Sequence, residues 1–184
     1  LLNININNKK KYNHLLRVAL NKEIISISLR EKVKIKNKFK LKLINYKRVR
    51  PEYKNLKYKM ILKHLSKINT AKSDVALCVN DKILETGTSN ILFVSKNKIF
   101  SPINKFYRGT NLRFYEKKLK IKKKNILLKN LNNYDEIILV GSGKGVVSVE
   151  LIEKTNWKRK SLKMFKSINK LLNLEIKKQK YIYK

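Results

Sequence analysis

Two short stretches of the sequence set ionisable side chains among glycines and small polar residues. Leu84-Glu85-Thr86-Gly87-Thr88-Ser89-Asn90 places a carboxylate and an amide between apolar runs, in a chain with 12 acidic against 46 basic residues. A carboxylate at the end of a strand, among side chains too small to cover it, is suited to pairing with a protonated heteroatom of a ligand. Gly141-Ser142-Gly143-Lys144-Gly145 follows an apolar run and offers backbone N–H groups, one hydroxyl and one ammonium to an anion. It is not a nucleotide-type phosphate loop. That loop needs a glycine where Ile138 stands and a Ser or Thr after Lys144, where Gly145 stands. On these residues alone, an ordinary turn between strands and a purely structural Glu85 remain open readings.

The elements that must position these groups follow from the apolar spacing. His14 to Leu20 and Glu23 to Arg30 read as two strands joined by a two-residue turn at Asn21-Lys22, and Phe39 to Tyr46 alternates as a third strand. Arg50-Pro51 breaks that pattern, which predicts a domain boundary near residues 47 to 53. Tyr58, Ile61, Leu62, Leu65 and Ile68 then follow the spacing of one helical face, with Lys54 just ahead of the helix. Short strands follow over 74–79, 82–85, 90–94 and 98–102, with a turn at Asn80-Asp81. A helix over 110–119 is entered through Gly109; strands over 135–140 and 146–152 flank the glycine-rich turn; an amphipathic helix over 162–174 closes the pattern. The expected architecture is α+β with a mixed sheet.

Composition narrows the function classes. The net charge is +34 over 184 residues, and 42% of residues are hydrophobic, enough to close a core, which excludes a wholly disordered basic tail. The lysines are spread along the chain and match no nucleic-acid-binding motif, so the charge raises non-specific affinity for phosphate without naming a nucleic-acid partner. No apolar run approaches the roughly 18 residues of a membrane span, and no apolar signal core opens the chain. Cys78 is the single cysteine, and His14 and His64 lie far apart, so neither a disulfide nor a metal site is expected. These features are read as those of a cytoplasmic protein without a membrane or specific nucleic-acid partner.

Taken in order, the motifs resemble the class IV aminotransferases, the pyridoxal-phosphate enzymes that include branched-chain and D-amino-acid aminotransferases and aminodeoxychorismate lyase. In that family a Schiff-base lysine opens a helix, often as Lys-Ser-Leu-x-Tyr, and an acidic-Ala-Leu strand start follows about twenty residues later. Lys54-Asn55-Leu56-Lys57-Tyr58 and Asp74-Val75-Ala76-Leu77 stand at that separation. The family's Glu, four mostly small residues, Asn and apolar-Phe strand are matched from Glu85 through Asn90 to Phe93. Its Thr-Pro and Gly-x-x-Arg are answered by Ser101-Pro102 and Gly109-Thr110-Asn111-Leu112-Arg113, with one residue more before the arginine. Tyr134-Asp135-Glu136 and the turn at Ser142 complete the series.

The resemblance implies a fold type IV α+β enzyme with pyridoxal 5'-phosphate as cofactor. Lys54 would carry the imine link and shuttle the substrate proton, with Lys57 as the rival lysine; only an amine makes an imine and, desolvated, serves as a base near neutral pH. Glu85 would keep the pyridine nitrogen protonated so that the ring accepts electrons. Asn90 belongs to the same motif. The amides after Gly109, at Thr110 and Asn111, would cradle the cofactor phosphate with Ser142 and Gly143. Tyr58 and Lys144 are the expected substrate contacts, Lys144 for a carboxylate.

The turn Gly141-Ser142-Gly143-Lys144-Gly145-Val146 is closer to the Asn-Ser-Leu-Arg-Gly of aminodeoxychorismate lyases than to the Gly-Thr-Ala-Ala of branched-chain aminotransferases. The expected activity is therefore conversion of 4-amino-4-deoxychorismate to 4-aminobenzoate and pyruvate, a folate-pathway step. A branched-chain or D-amino-acid transaminase is the alternative, and a basic nucleic-acid-binding module a distant one. Residues 1–48 are read as the remnant of a small N-terminal α+β domain, in a chain truncated at its N-terminus. Residues 49–184 are read as the large cofactor-binding domain of a homodimeric enzyme.

Overall fold

The computed structural model describes residues 14–36 and 38–179. The chain divides into two compact units, residues 1–33 and 34–184. The part of the sequence-based N-terminal remnant that covers residues 1–13 lies outside the described residues.

The first unit contains β1 (His14–Leu20) and β2 (Ile25–Glu31), paired antiparallel. The connection is longer than the two residues read from the sequence. Asn21 accounts for this: its Oδ1 accepts the N–H of Glu23 and of Ile24, and its own N–H donates to the Ile24 carbonyl, so four residues form the turn. Leu16, Val18 and Leu20 are paired with Leu29, Ile27 and Ile25, and all six are exposed.

The second unit is built on β3 (Phe39–Asn45), α1 (Lys59–Leu65), β4 (Ser73–Val79), β5 (Lys82–Thr86), β6 (Asn90–Ser95), β7 (Lys98–Ser101), α2 (Thr110–Lys118), β8 (Ile121–Lys123), β9 (Ile126–Leu127), β10 (Glu136–Gly141), β11 (Gly145–Ile152) and α3 (Lys163–Gln179). A 3-10 segment, Leu128–Asn133, lies between β9 and β10. The nine strands form one sheet in the order β8-β7-β6-β10-β11-β3-β4-β5-β9. It is mixed: β11, β3 and β4 run parallel, as do β7 and β8, while the other pairs are antiparallel.

β3 sits between β11 and β4, inside this sheet. The boundary between compact units therefore falls after Val33, ahead of the 47–53 region indicated by the sequence. The alternation of Phe39, Leu41 and Leu43 identifies a strand but not its sheet, and Arg50-Pro51 lies inside the loop that joins β3 to α1. The helix expected from Tyr58 to Ile68 is shorter, seven residues from Lys59, because after Leu65 the chain tightens into turns in which Lys67 and Ile68 donate to the His64 and Leu65 carbonyls. The strands of residues 121–123 and 126–127 and the 3-10 segment are too short to leave a periodic signal.

Three apolar clusters hold the unit. One gathers Phe39, Leu41, Phe93, Tyr134, Leu139 and Trp157 against the sheet, and the Trp157 indole N–H donates to the Tyr134 carbonyl at 3.0 Å. A second packs α2 and α3 on β6 and β10 through Leu112, Tyr115, Ile138 and Ile168, with Phe165, Leu171 and Leu172 from the predicted face of the last helix. The third sets Ile61 of α1 on Ile44, Val75 and Leu77. Glu136, 1% exposed, receives the Met164 and Phe165 N–H groups at 2.8 Å each and the Ser161 hydroxyl at 2.9 Å. A buried carboxylate thus serves the otherwise unpaired amides that open α3.

Two tests follow from this core. Glu136→Ala leaves those amides without their acceptor and lowers unfolding free energy by about 1–2 kcal/mol, read from urea denaturation; no loss would show that the carboxylate does not cap α3. Burial, with the Asp81 charge second, pushes the Cys78 thiol up to about 12, so almost no thiolate forms near pH 8. Cys78 should resist a maleimide in the native protein at that pH and react once denatured, and rapid native labelling would contradict its placement.

Candidate functional site

The site is assembled around the turn that joins β5 to β6. In β5 one residue more than in β4 lies between the pairs Cys78↔Ile83 and Leu77↔Glu85. Such a bulge changes the face on which the next side chain projects. Ile83 belongs to the cluster of Phe39 and Trp157, whereas Glu85 is registered with Leu77, which packs with Ile61 of α1. The irregularity therefore delivers Glu85 to the side of the sheet that carries α1 and the loop before it.

Glu85 is buried at 3% exposure. Its Oε1 accepts the Arg48 Nε–H at 3.0 Å, and the Arg48 guanidinium also donates to the Gly87 carbonyl. Burial raises the Glu85 carboxyl above the usual carboxylate range, while Arg48 and a backbone hydrogen bond with Tyr107 oppose the rise. Arg48 was not singled out from the sequence: the extended loop between Asn45 and Lys59 hides which of its cations faces inward. Its nearness to Arg50-Pro51 was the one available signal.

Asn90, 6% exposed, opens β6 and organises the entrance to α2. Its Nδ2 donates to the Tyr107 carbonyl at 2.6 Å, and its Oδ1 accepts the Gly109 N–H at 3.0 Å. Gly109 is the N-cap of α2 and no side chain caps that helix end. A Cβ on Gly109 would lie 2.9 Å from Asn90 Oδ1, so the backbone approaches as closely as glycine permits. Thr110 and Asn111 follow at the surface, at the amide-rich end of the helix. On the other side of the turn, a Cβ on Gly141 would meet Ser89 Oγ at 2.8 Å, which sets the start of the Ser142–Gly145 turn directly against Thr88 and Ser89.

Lys54 and Lys57 are exposed, in the loop that precedes α1, and the structure brings neither side chain to Glu85. What it brings there is the loop that carries them. Arg48 pins the start of the loop on Glu85, and Asn55, next to Lys54, donates to the carbonyls of Val49 and Arg50 while accepting the Lys57 N–H. Tyr58 is half-buried against the cluster of Ile61 and Val75. Ser142 is exposed and Gly143 half-buried. Lys144, expected to face a substrate carboxylate, instead directs its ammonium to Asp74 Oδ2 at 3.2 Å and lies over the Phe39 ring. Asp74 also stood in the sequence motif, without a role.

A group of three His, Cys, Asp or Glu side chains arranged to hold a metal is absent among the described residues. No helix among them is long and apolar enough to cross a membrane.

Comparison with known proteins places this geometry. A protein from Legionella pneumophila named as a candidate 4-amino-4-deoxychorismate lyase is 15% identical with a TM-score of 0.68, over 82% of this chain and 60% of that one. An aminotransferase from Brucella abortus bound to the cofactor PLP is 16% identical, TM-score 0.64, over 82% and 59%. A branched-chain aminotransferase from Thermoproteus uzoniensis with norvaline is 16% identical, TM-score 0.63, over 80% and 55%. At such identities the likeness is one of fold, and the chain spans about three fifths of the first of these structures. It agrees with the α+β, fold type IV expectation of a mixed sheet with flanking helices. Curated proteins give no match. The sequence model of amino-transferase class IV matches residues 4–152, and the chain belongs to that family.

Proposed function

We propose that this chain carries the cofactor-binding half of a pyridoxal-phosphate lyase, with 4-amino-4-deoxychorismate as substrate and 4-aminobenzoate and pyruvate as products. The observation that carries the cofactor reading is the buried Glu85, held by Arg48 beside the uncapped, glycine-opened end of α2. The donor set fits a pyridinium and a phosphate at once: the buried Glu85 carboxyl, held beside Arg48, suits a ring N–H, and the helix amides suit a dianion. When bound, pyridoxal phosphate supplies an electron-accepting ring conjugated to the substrate amine.

The chain's own residues do the rest. Lys54 would hold the cofactor, and its free amine would take the proton from the substrate carbon bearing the amino group. Glu85 keeps the ring nitrogen protonated, and Arg48 offsets the cost of a charged Glu85 in a buried setting. Asn90 aims the Gly109 loop, and the Thr110 and Asn111 amides, with Ser142 and Gly143, would hold the phosphate. Tyr58 borders the substrate. Lys144 would reach a substrate carboxylate only by leaving Asp74. The lyase reading is favoured over a branched-chain or D-amino-acid transaminase by the Ser142-Gly143-Lys144-Gly145-Val146 turn. We assign the complete protein a soluble, cytoplasmic, homodimeric state within folate synthesis on the same resemblance.

The discriminating assay offers the purified protein pyridoxal phosphate with 4-amino-4-deoxychorismate, and separately an amino acid with a 2-oxo acid. Release of 4-aminobenzoate and pyruvate in the first, without amine transfer in the second, is expected; the reverse would establish the transaminase. Lys54→Ala should lower the observed turnover by at least about 10²-fold, whereas Lys57→Ala should leave it within a few-fold. A reversal between those two variants would move the covalent link to Lys57.

A further inference from the structure

Asp74 is the second residue of β4 and is fully buried, and donors from four segments converge on its carboxylate. Oδ1 accepts the Val75 N–H at 2.8 Å. Oδ2 accepts the hydroxyls of Thr86 and Thr88 and the Lys144 ammonium, the last at 3.2 Å. The Lys144 side chain is itself 7% exposed, with its ammonium 5.0 Å from the centre of the Phe39 ring. The pair thus joins β4, the end of β5, the Gly87–Ser89 turn and the β10–β11 turn. Gly87 shows how tight the junction is: a Cβ there would lie 2.8 Å from Val75 Cγ2 and 3.1 Å from Asp74 Oδ1.

A buried ion pair is weak evidence for stability, because apolar side chains of the same volume fill the space without the cost of desolvating two charges. What a carboxylate with four donors supplies is direction. Here the direction is that of Lys144, in the turn where Gly145 takes φ +71° with open space around it, so its own contacts do not fix the turn.

We propose that Asp74 is a positioning residue. By holding Lys144 it fixes the Ser142–Gly145 turn, and with it the hydroxyl and amide that meet the cofactor phosphate. The inference rests on the cofactor reading above and adds a residue to it. Its consequence is selective: the turn touches the phosphate and not the ring, so loosening it weakens pyridoxal phosphate and leaves pyridoxal alone.

The test titrates the full chain and its Asp74→Asn and Lys144→Met variants with pyridoxal phosphate and with pyridoxal. Asparagine keeps an oxygen acceptor for the Val75 N–H and an NH2 that can donate to the threonine hydroxyls, but loses the charge that holds Lys144. Both variants should lower the ratio of pyridoxal phosphate to pyridoxal affinity about tenfold, and the double variant should lower it no further than either single change. An unchanged ratio in either variant overturns the proposal, as does equal weakening of both ligands, which marks a merely structural role. If Asp74→Asn does not fold, Lys144→Met carries the same comparison. A wild-type chain that binds neither ligand would overturn the cofactor reading itself, which separates that failure from failure of the Asp74 assignment.

Discussion

The site depends on the close approach of three backbone segments to the six residues from Glu85 to Asn90. Gly87 fits against Val75, Gly109 against the Asn90 amide and Gly141 against Ser89, each at a distance where a Cβ could not be placed without displacement. Two of these neighbours have little freedom to yield. Val75 is fully buried, and Asn90 is held by hydrogen bonds to Tyr107 and Gly109. Glycine at these three positions is what allows the α2 entrance, the start of β4 and the β10–β11 turn to share one small volume. A side chain in any of them would separate the carboxylate from the helix end that it faces.

Charge is distributed with equal economy. A chain of net charge +34 buries three carboxylates, and each has a distinct set of partners. Glu136 takes backbone amides and serves the fold by opening α3. Glu85 takes the Arg48 guanidinium and a backbone hydrogen bond with Tyr107, with burial holding its carboxyl above the ordinary range. Asp74 is saturated by hydroxyls, an amide and an ammonium. The four donors on Asp74 suit an anchor, and the fewer partners of Glu85 suit a binding group, which is why the two neighbouring acids can be given different work. The abundant surface lysines take no part in this division.

Much of this was legible in the sequence, for definite reasons. The α2 segment was readable because Gly109 marks its start and its apolar residues keep helical spacing; the structure gives Thr110–Lys118. The β4–β5 turn was readable because Asn80 and Asp81 tolerate the positive φ values that they adopt, 47° and 59°. The α1 start was readable, since Tyr58 is the N-cap of a helix that begins at Lys59, but its end was not: Lys67 and Ile68 donate to the His64 and Leu65 carbonyls in tighter turns, so the apolar period outlasts the helix. The strand β3 was readable at Phe39–Asn45 from its alternation, which reports a pleated face and is silent about which neighbour the strand takes. Arg48 and Asp74 were invisible as partners for the same physical reason: their roles arise at separations of 37 and 70 residues, from Arg48 to Glu85 and from Asp74 to Lys144, and depend on the sheet that brings them together. The bulge at Glu85 is a further case, since no local pattern announces the residue that turns its side chain to the α1 side.

The central claim is that the loop pinned by Arg48 and Asn55 presents Lys54 to a cofactor whose ring Glu85 receives. The most direct measurement incubates the protein with pyridoxal phosphate, reduces it with borohydride and maps the pyridoxyl label by peptide mass spectrometry. The account predicts a single dominant label on Lys54. Label spread over the exposed lysines in proportion to their accessibility, with no preference for Lys54, would contradict it.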